Sequence, residues 1–173
     1  MDADTLRALQ APLKERYRDE PGAAVVLLRA EGALDGSGIA CRVETGRALV
    51  TAGLHPATGG SGLEACSGDM LLEALVACAG VTLRAVATAI GVEVRGGTVR
   101  AEGELDFRGT LAVDREAPVG FRSVRLAFDL DTDAPQEKLD QLLKLTERYC
   151  VVLQTLRNPP ALAAELRPSS PAP

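Results

Sequence analysis

The stretch DMLLEALVACAGVTLRAVATAIG, residues 69–91, limits what this chain can become more than any other segment. Only Glu73 and Arg84 interrupt an apolar surface that otherwise runs around the whole helical circumference. A helix apolar on every side must be enclosed on every side, so the segment predicts the central helix of the fold. Asp69 or Ser67 can act as its N-cap, and Gly91 is placed to end it as a left-handed C′ residue. Its longest charge-free run, residues 74–83, falls short of the roughly 20 residues a membrane span needs, so enclosure by protein is expected. Cys78 sits in the middle of it.

The flanking segments supply what would do the enclosing. Residues 2–18 have helical composition, with Leu6, Leu9 and Leu13 on a modest stripe, an interruption at Pro12 and a stop at Pro21-Gly22. A strand in AAVVLLRAEGAL, a turn at DGSG (35–38), a half-buried strand in IACRVE and a further segment RALVTAGL predict a meander of about three strands. HPATGGSGLEACSG then reads as a flexible connector, since GGSG lacks the lysine and fingerprint glycines of a phosphate loop. Two more strands follow, in VEVRGGTVRAEGELDF and FRSVRLAFDLD, joined by the hairpin connection GTLAVDREAPVG. Asp133 with Gln136 forms a capping-box pattern that opens a second long helix. Its apolar stripe is Leu139, Leu142, Leu143, Thr146, Tyr149, Cys150, Leu153 and Leu156, a 3.6-residue period with Cys150 in the core-facing set. Asn158-Pro159-Pro160 ends it; a short helix in ALAAELR and a disordered PSSPAP tail complete the chain.

Strands and helices are segregated more than alternated, which favours an α+β fold with antiparallel pairing. The expected organisation is a helical extension over 1–20, one domain over 21–166 and a tail over 167–173. Hydrophobic residues make up 46% of the chain but aromatics only 3%, so aliphatic side chains must fill the core.

The net charge of −5 and a pI near 5.0 argue against a nucleic-acid or anionic-membrane partner. Arg95, Arg100, Arg108, Arg122 and Arg125 are interleaved with acids and read as a solvated face. Residues 1–20 contain no apolar signal region, and four cysteines in such a chain suggest reduced thiols in the cytoplasm. No CxxC is present, and His55, Cys66 and Cys78 lack metal-ligand spacing, so no metal is expected. Cys41 and Cys66 read as bystanders. Cys78 and Cys150, one on the core face of each long helix, are either packing residues or a redox pair in which one attacks a peroxide and the other resolves the sulfenic acid. A mid-helix thiol gains nothing from the helix N-terminal dipole, so a cation from another element would have to activate Cys78. Arg84 lies about 240° around the helix and faces elsewhere.

These segments together resemble the OsmC/Ohr family, the osmotically induced and organic-hydroperoxide-resistance proteins. GDMLLEALVACAGVTLRAVATAIGV is similar to the family's first cysteine helix and LLKLTERYCVVLQTL to its second; TGGSG, the intervening hairpin and APVGF match in order, from about residue 23 to 160. The resemblance implies a divergent OsmC-like domain over 21–166: two long central helices packed on antiparallel sheets of an intertwined homodimer, with the N-terminal helix as an addition. It implies Cys78 as the peroxide-attacking thiolate and Cys150 as the resolving cysteine. The substrate would be a small organic hydroperoxide of the fatty-acid type, with no bound cofactor. An external dithiol reductant, typically a lipoyl-bearing protein, would reopen the disulfide. The sequence departs from the family pattern at three places. Ser67-Gly68-Asp69 stands where an Asn-Pro-Glu opens the first helix, Val151 replaces a proline after the second cysteine, and the activating arginine has no counterpart at its position. Asp69, Arg42 and Arg47 are the candidate supporting residues, with Arg29 a further substitute. The alternative reading is a non-catalytic OsmC-like domain that binds a small apolar or electrophilic ligand in an interface pocket.

Overall fold

The computed structural model describes residues 3–34, 41–43 and 52–166. Its elements are α1 (Ala3–Asp19), β1 (Val25–Leu34), β2 (Cys41–Val43), β3 (Ala52–Gly53), β4 (Ala65–Cys66), α2 (Ser67–Ile90), β5 (Gly96–Asp106), α3 (Phe107–Thr110), β6 (Phe121–Asp131), α4 (Gln136–Tyr149) and α5 (Val151–Arg157). The architecture is α+β, as the segregation of strands and helices predicts. The turn expected at 35–38 and the tail at 167–173 lie outside the described residues.

Four strands form an antiparallel sheet in the order β2-β1-β5-β6. β5 shows why it takes the interior position. Val99, Ala101 and Leu105 are buried on one face, while Arg100, Glu102 and Glu104 alternate onto the other. That polar face carries cross-strand ion pairs, Arg29–Glu102, Arg100–Asp129 and Arg122–Glu104. Arg95 likewise joins Asp131 and Asp133 at 2.6 Å. Arg108 departs from this solvated set: it is half-buried and clamps the buried Asp106 at 2.6 Å and Asp114 at 3.1 Å. Of the expected three-strand meander, β1 and β2 pair antiparallel; the third segment lies mostly outside the described residues, and its described end, β3, pairs in parallel with β4.

α2 lies across the apolar face of this sheet and against α4 and α5. Leu72, Leu75, Val76, Ala79, Leu83 and Ala87 are buried beneath it. Gly91 ends the helix at φ +68, and the Val92 amide reaches back to the Ala87 carbonyl at 2.9 Å. Arg84 is enclosed with the apolar residues because its guanidinium donates to the Val94 carbonyl. Two expectations fail here. Cys66, not Ser67 or Asp69, is the N-cap residue, with no side-chain bond; Ser67 and Asp69 fall inside the first turn. Met70, Leu71, Ala74, Val81 and Ala85 remain exposed, so one chain does not enclose this helix on every side. By length and composition α2 could cross a membrane, because two charges are tolerable in such a window; half of that window is buried inside the fold.

α1 continues as a helix through Pro12. Proline deletes one rung of the ladder without leaving helical φ, and tertiary bonds anchor both halves. Gln10 donates to the Thr58 carbonyl at 3.2 Å, and the buried Tyr17 donates its hydroxyl to Ala57 at 2.7 Å. The glycine-rich connector is thus partly ordered, with a 3-10 turn over Pro56–Thr58. At the C-terminal end, residues 159–166 are irregular where a helix was expected. A seven-residue helix is below the nucleation length, and Leu162 and Leu166 are exposed with no face to pack on. Pro135 is the N-cap residue of α4, without a side-chain bond, because Arg95 engages Asp133 and removes it from the expected capping box.

Candidate functional site

The second cysteine helix is not one helix. α4 ends at Tyr149, Cys150 adopts an extended backbone (φ −70, ψ 107), and α5 begins at Val151. The Cys150 amide still closes the last turn of α4 onto the Thr146 carbonyl at 2.9 Å, while the Cys150 carbonyl accepts the first rung of α5, from Gln154, at 2.9 Å. The break frees the amides that an unbroken helix would spend internally.

Those amides meet Cys78. Its sulfur lies 3.5 Å from the sulfur of Cys150, whose thiol donates to it. Burial pushes the Cys78 thiol up, but four hydrogen bonds outweigh it: from the amides of Val152 and Val151, the Cys150 thiol and the Thr82 hydroxyl. Together they hold Cys78 below its usual 9.0. Cys150 moves the opposite way. Burial, assisted by the hydrogen bond and charge of Cys78, pushes it up to about 11 against the amides of Leu153 and Val152. Cys78 is half-buried at the margin of the exposed α2 stripe, whereas Cys150 is fully enclosed. The arrangement poises an accessible sulfur for ionisation beside a protonated one that water does not reach.

This predicts the pH dependence of Cys78 chemistry. The thiolate is the reactive form, so iodoacetamide labelling of Cys78 should rise with pH along a curve whose midpoint lies below 9.0. Cys150→Ser changes one of the four donors and should move that midpoint. A wild-type midpoint at or above the ordinary thiol value would contradict the hydrogen-bonded account.

Of the supporting residues expected from sequence, Asp69 and Arg29 stand apart from the pair, while the Arg42 side chain and Arg47 lie outside the described residues. Asp69 is nine residues before Cys78 on α2, about 13 Å along the axis. Burial raises its carboxyl, opposed by the charge of His55. His55 stacks on Phe107 at 5.1 Å and accepts the Ala57 amide on Nδ1. Arg42, on β2 beside α2, pairs its backbone with Ala33 of β1, and Arg47 lies outside the described residues. Arg29 is on the far, exposed face with Glu102. Cys66 is a half-buried free thiol at the N-cap of α2. Among the described residues no cluster of three or more His, Cys, Asp or Glu could hold a metal ion.

What sequence reasoning missed are the donors: Thr82 and the two valine amides. Thr82 was findable as the i+4 neighbour of Cys78. The helix break had a fainter signal in the β-branched pair Val151-Val152, which weakens helix propensity directly after Cys150.

α2, β6, α4 and α5 surround a cavity of about 560 Å³ whose wall comes within one helical turn of each cysteine without including either. Leu75 and Leu153, each three residues from a cysteine, line it together with Leu71, Phe121, Leu126 and Leu156, and Glu147, Arg122 and Arg157 add charge to its wall.

Residues 60–165 match the family described as OsmC-like protein. Among solved structures, the crystal structure of an OsmC-like hydroperoxide resistance protein from Jannaschia sp. CCS1 at 1.70 Å is similar, with a TM-score of 0.61. The two chains are 19% identical, and the likeness covers 86% of this chain and 97% of the other; at that identity it speaks for the fold. No curated protein gives a significant match. The family match spans more than half of the sequence and contains both cysteine-bearing segments, and with it the chain belongs to the OsmC-like family.

Proposed function

We propose that the protein is a thiol-dependent peroxidase that reduces organic, fatty-acid type hydroperoxides in oxidative-stress defence. The observation that carries this reading is the pair of thiols 3.5 Å apart with opposite acidities, the accessible one lowered and the enclosed one raised to about 11. In the first step the Cys78 thiolate attacks the terminal peroxide oxygen. The O–O bond breaks, an S–O bond forms, and the alkoxide leaves, taking a proton to become the alcohol. In the second step Cys150 attacks the sulfur of the Cys78 sulfenic acid, an S–S bond replaces the S–O bond, and the hydroxyl departs with the Cys150 proton as water. A shift of about 1.5 Å brings the two sulfurs to bonding distance. An external lipoyl-type dithiol then reopens the disulfide by exchange.

The apolar cavity beside the pair supports a substrate with a hydrocarbon tail. The exposed α2 stripe of Met70, Leu71, Ala74 and Val81 supports a homodimer in which a second copy covers it. A cycle that needs reduced thiols suits a cytoplasmic location. The same cavity also favours the second reading, a domain that holds an apolar ligand without turnover. The deciding experiment adds one equivalent of an organic hydroperoxide and examines the peptides by mass spectrometry. The peroxidase reading expects loss of two hydrogens and a Cys78–Cys150 link, with continuing consumption once dihydrolipoamide is supplied. Neither link nor consumption leaves the binding reading in its place.

A further inference from the structure

We propose that Thr146 is a positioning residue for the second step of this cycle, its hydroxyl holding the oxygen that leaves Cys78 as the disulfide closes. The inference rests on the peroxidase reading above. Thr146 is completely buried, and its Oγ1 has no hydrogen-bond partner, the one such buried side-chain oxygen or nitrogen among the described residues. A helical threonine ordinarily spends its hydroxyl on a carbonyl one turn back. An unpaired buried hydroxyl is destabilising, and valine would fill the same shape without that penalty.

Its position gives the hydroxyl a use. Leu142, Thr146 and Cys150 follow at intervals of four and are the fully buried positions of this segment. Leu142 shares one cavity with Leu83, and Leu153 and Leu156 share another with Leu71 and Leu75. The α4–α5 segment therefore runs antiparallel to α2. With Cys150 against Cys78, that register sets Thr146 toward the turn 79–83, the turn that carries Thr82. The Thr82 hydroxyl already serves the Cys78 sulfur; that of Thr146 is unspent. The resting dithiol contains no oxygen, so nothing pairs with it until Cys78 becomes a sulfenic acid. The hydroxyl then donates to the sulfenic oxygen, steadies it as the S–O bond breaks, and accepts from the water formed. Cys150 enters this step protonated, and its proton leaves on that same oxygen. Thr146 is unchanged at the end.

The test compares wild type with Thr146→Val, Thr146→Ala and Thr146→Ser in the full chain. Each is mixed with one equivalent of tert-butyl hydroperoxide, quenched over time, and read by dimedone trapping of the sulfenic acid and by mass of the disulfide. Thr146→Val should melt no lower than wild type, accumulate the dimedone-reactive form, and close the disulfide roughly tenfold or more slowly. Thr146→Ala should show the same delay and Thr146→Ser should restore the rate. Oxidation by diamide joins the same two sulfurs with no oxygen leaving, so Thr146→Val should match wild type there. Closure at the wild-type rate by Thr146→Val with hydroperoxide overturns the proposal. So does an equal delay with diamide, which assigns Thr146 to packing alone. Absence of any sulfenic acid or disulfide in wild type is a different failure, that of the peroxidase reading itself.

Discussion

On the proposed peroxidase reading, Cys78→Ser should lower the rate of organic hydroperoxide consumption on the order of a thousandfold or more, to the level of the uncatalysed reaction with the reductant. Serine keeps the size of the site and most of its hydrogen bonds, but its hydroxyl stays protonated where the four donors lower the thiol of Cys78. Cys150→Ser gives a different result. Cys78 still has the amides of Val151 and Val152 and the Thr82 hydroxyl, so it should be oxidised once, and the sulfenic acid should then persist because the resolving sulfur that lies 3.5 Å away in the native protein has been removed. Stopped-flow consumption of hydroperoxide, paired with dimedone labelling, separates the two variants. Equal loss of the first turnover in both would place the reactive sulfur elsewhere.

Arg108→Met produces the largest expected loss of stability, about 3 kcal/mol at neutral pH, because it leaves the buried Asp106 carboxylate without its counter-ion. In the native protein Arg108 Nη2 meets Asp106 Oδ2 at 2.6 Å and its Nε meets Oδ1 at 3.0 Å, while Oδ1 also caps α3 through the Arg108 amide at 3.1 Å. The backbone bond survives the substitution, which keeps the loss near the lower end for a broken buried pair. The pH dependence follows from the direction of the Asp106 shift. The Arg108 guanidinium holds that carboxyl below its usual 3.8. A depressed folded value contributes stability above the unfolded value and loses it as pH falls through the folded one. The variant lacks this contribution, so the gap between the two proteins should be widest near pH 7 and should narrow below about pH 4. Urea titrations at both ends of that range measure it. A gap that does not change with pH would mean that lost packing, not the ion pair, accounts for the effect.

The α+β class, the central position of α2 and its stop at Gly91 were legible because each follows from local chemistry: segregated periodicities, an apolar run and a glycine at the C′ position. The pairing of two cysteines on two helix faces was legible for the same reason, as a matter of period. The break at Cys150 was not, because no proline or glycine marks it and the 3.6-residue stripe continues across it. The donors to Cys78 stayed hidden with it, since two of them are backbone amides that exist only once the helix is interrupted. A cation beside Cys78 is what the sequence leads one to expect, whereas among the described residues hydrogen bonds lower the thiol. Arg108 shows the converse: its alternation with acids reads as surface, yet the chain turns at α3 and buries its partner.

The separation of the two cysteines along the chain has a mechanical meaning as well. Residues 78 and 150 are 72 positions apart, and the segment between them holds β5, α3, β6 and α4. Oxidation would therefore turn an open chain into a ring around half of the sheet. A ring of that size removes on the order of 4 kcal/mol of unfolded-state entropy in the chain-entropy account. The two redox forms would then differ in firmness as well as in chemistry, and whatever reopens the ring would have to work against a closure that the folded chain itself favours.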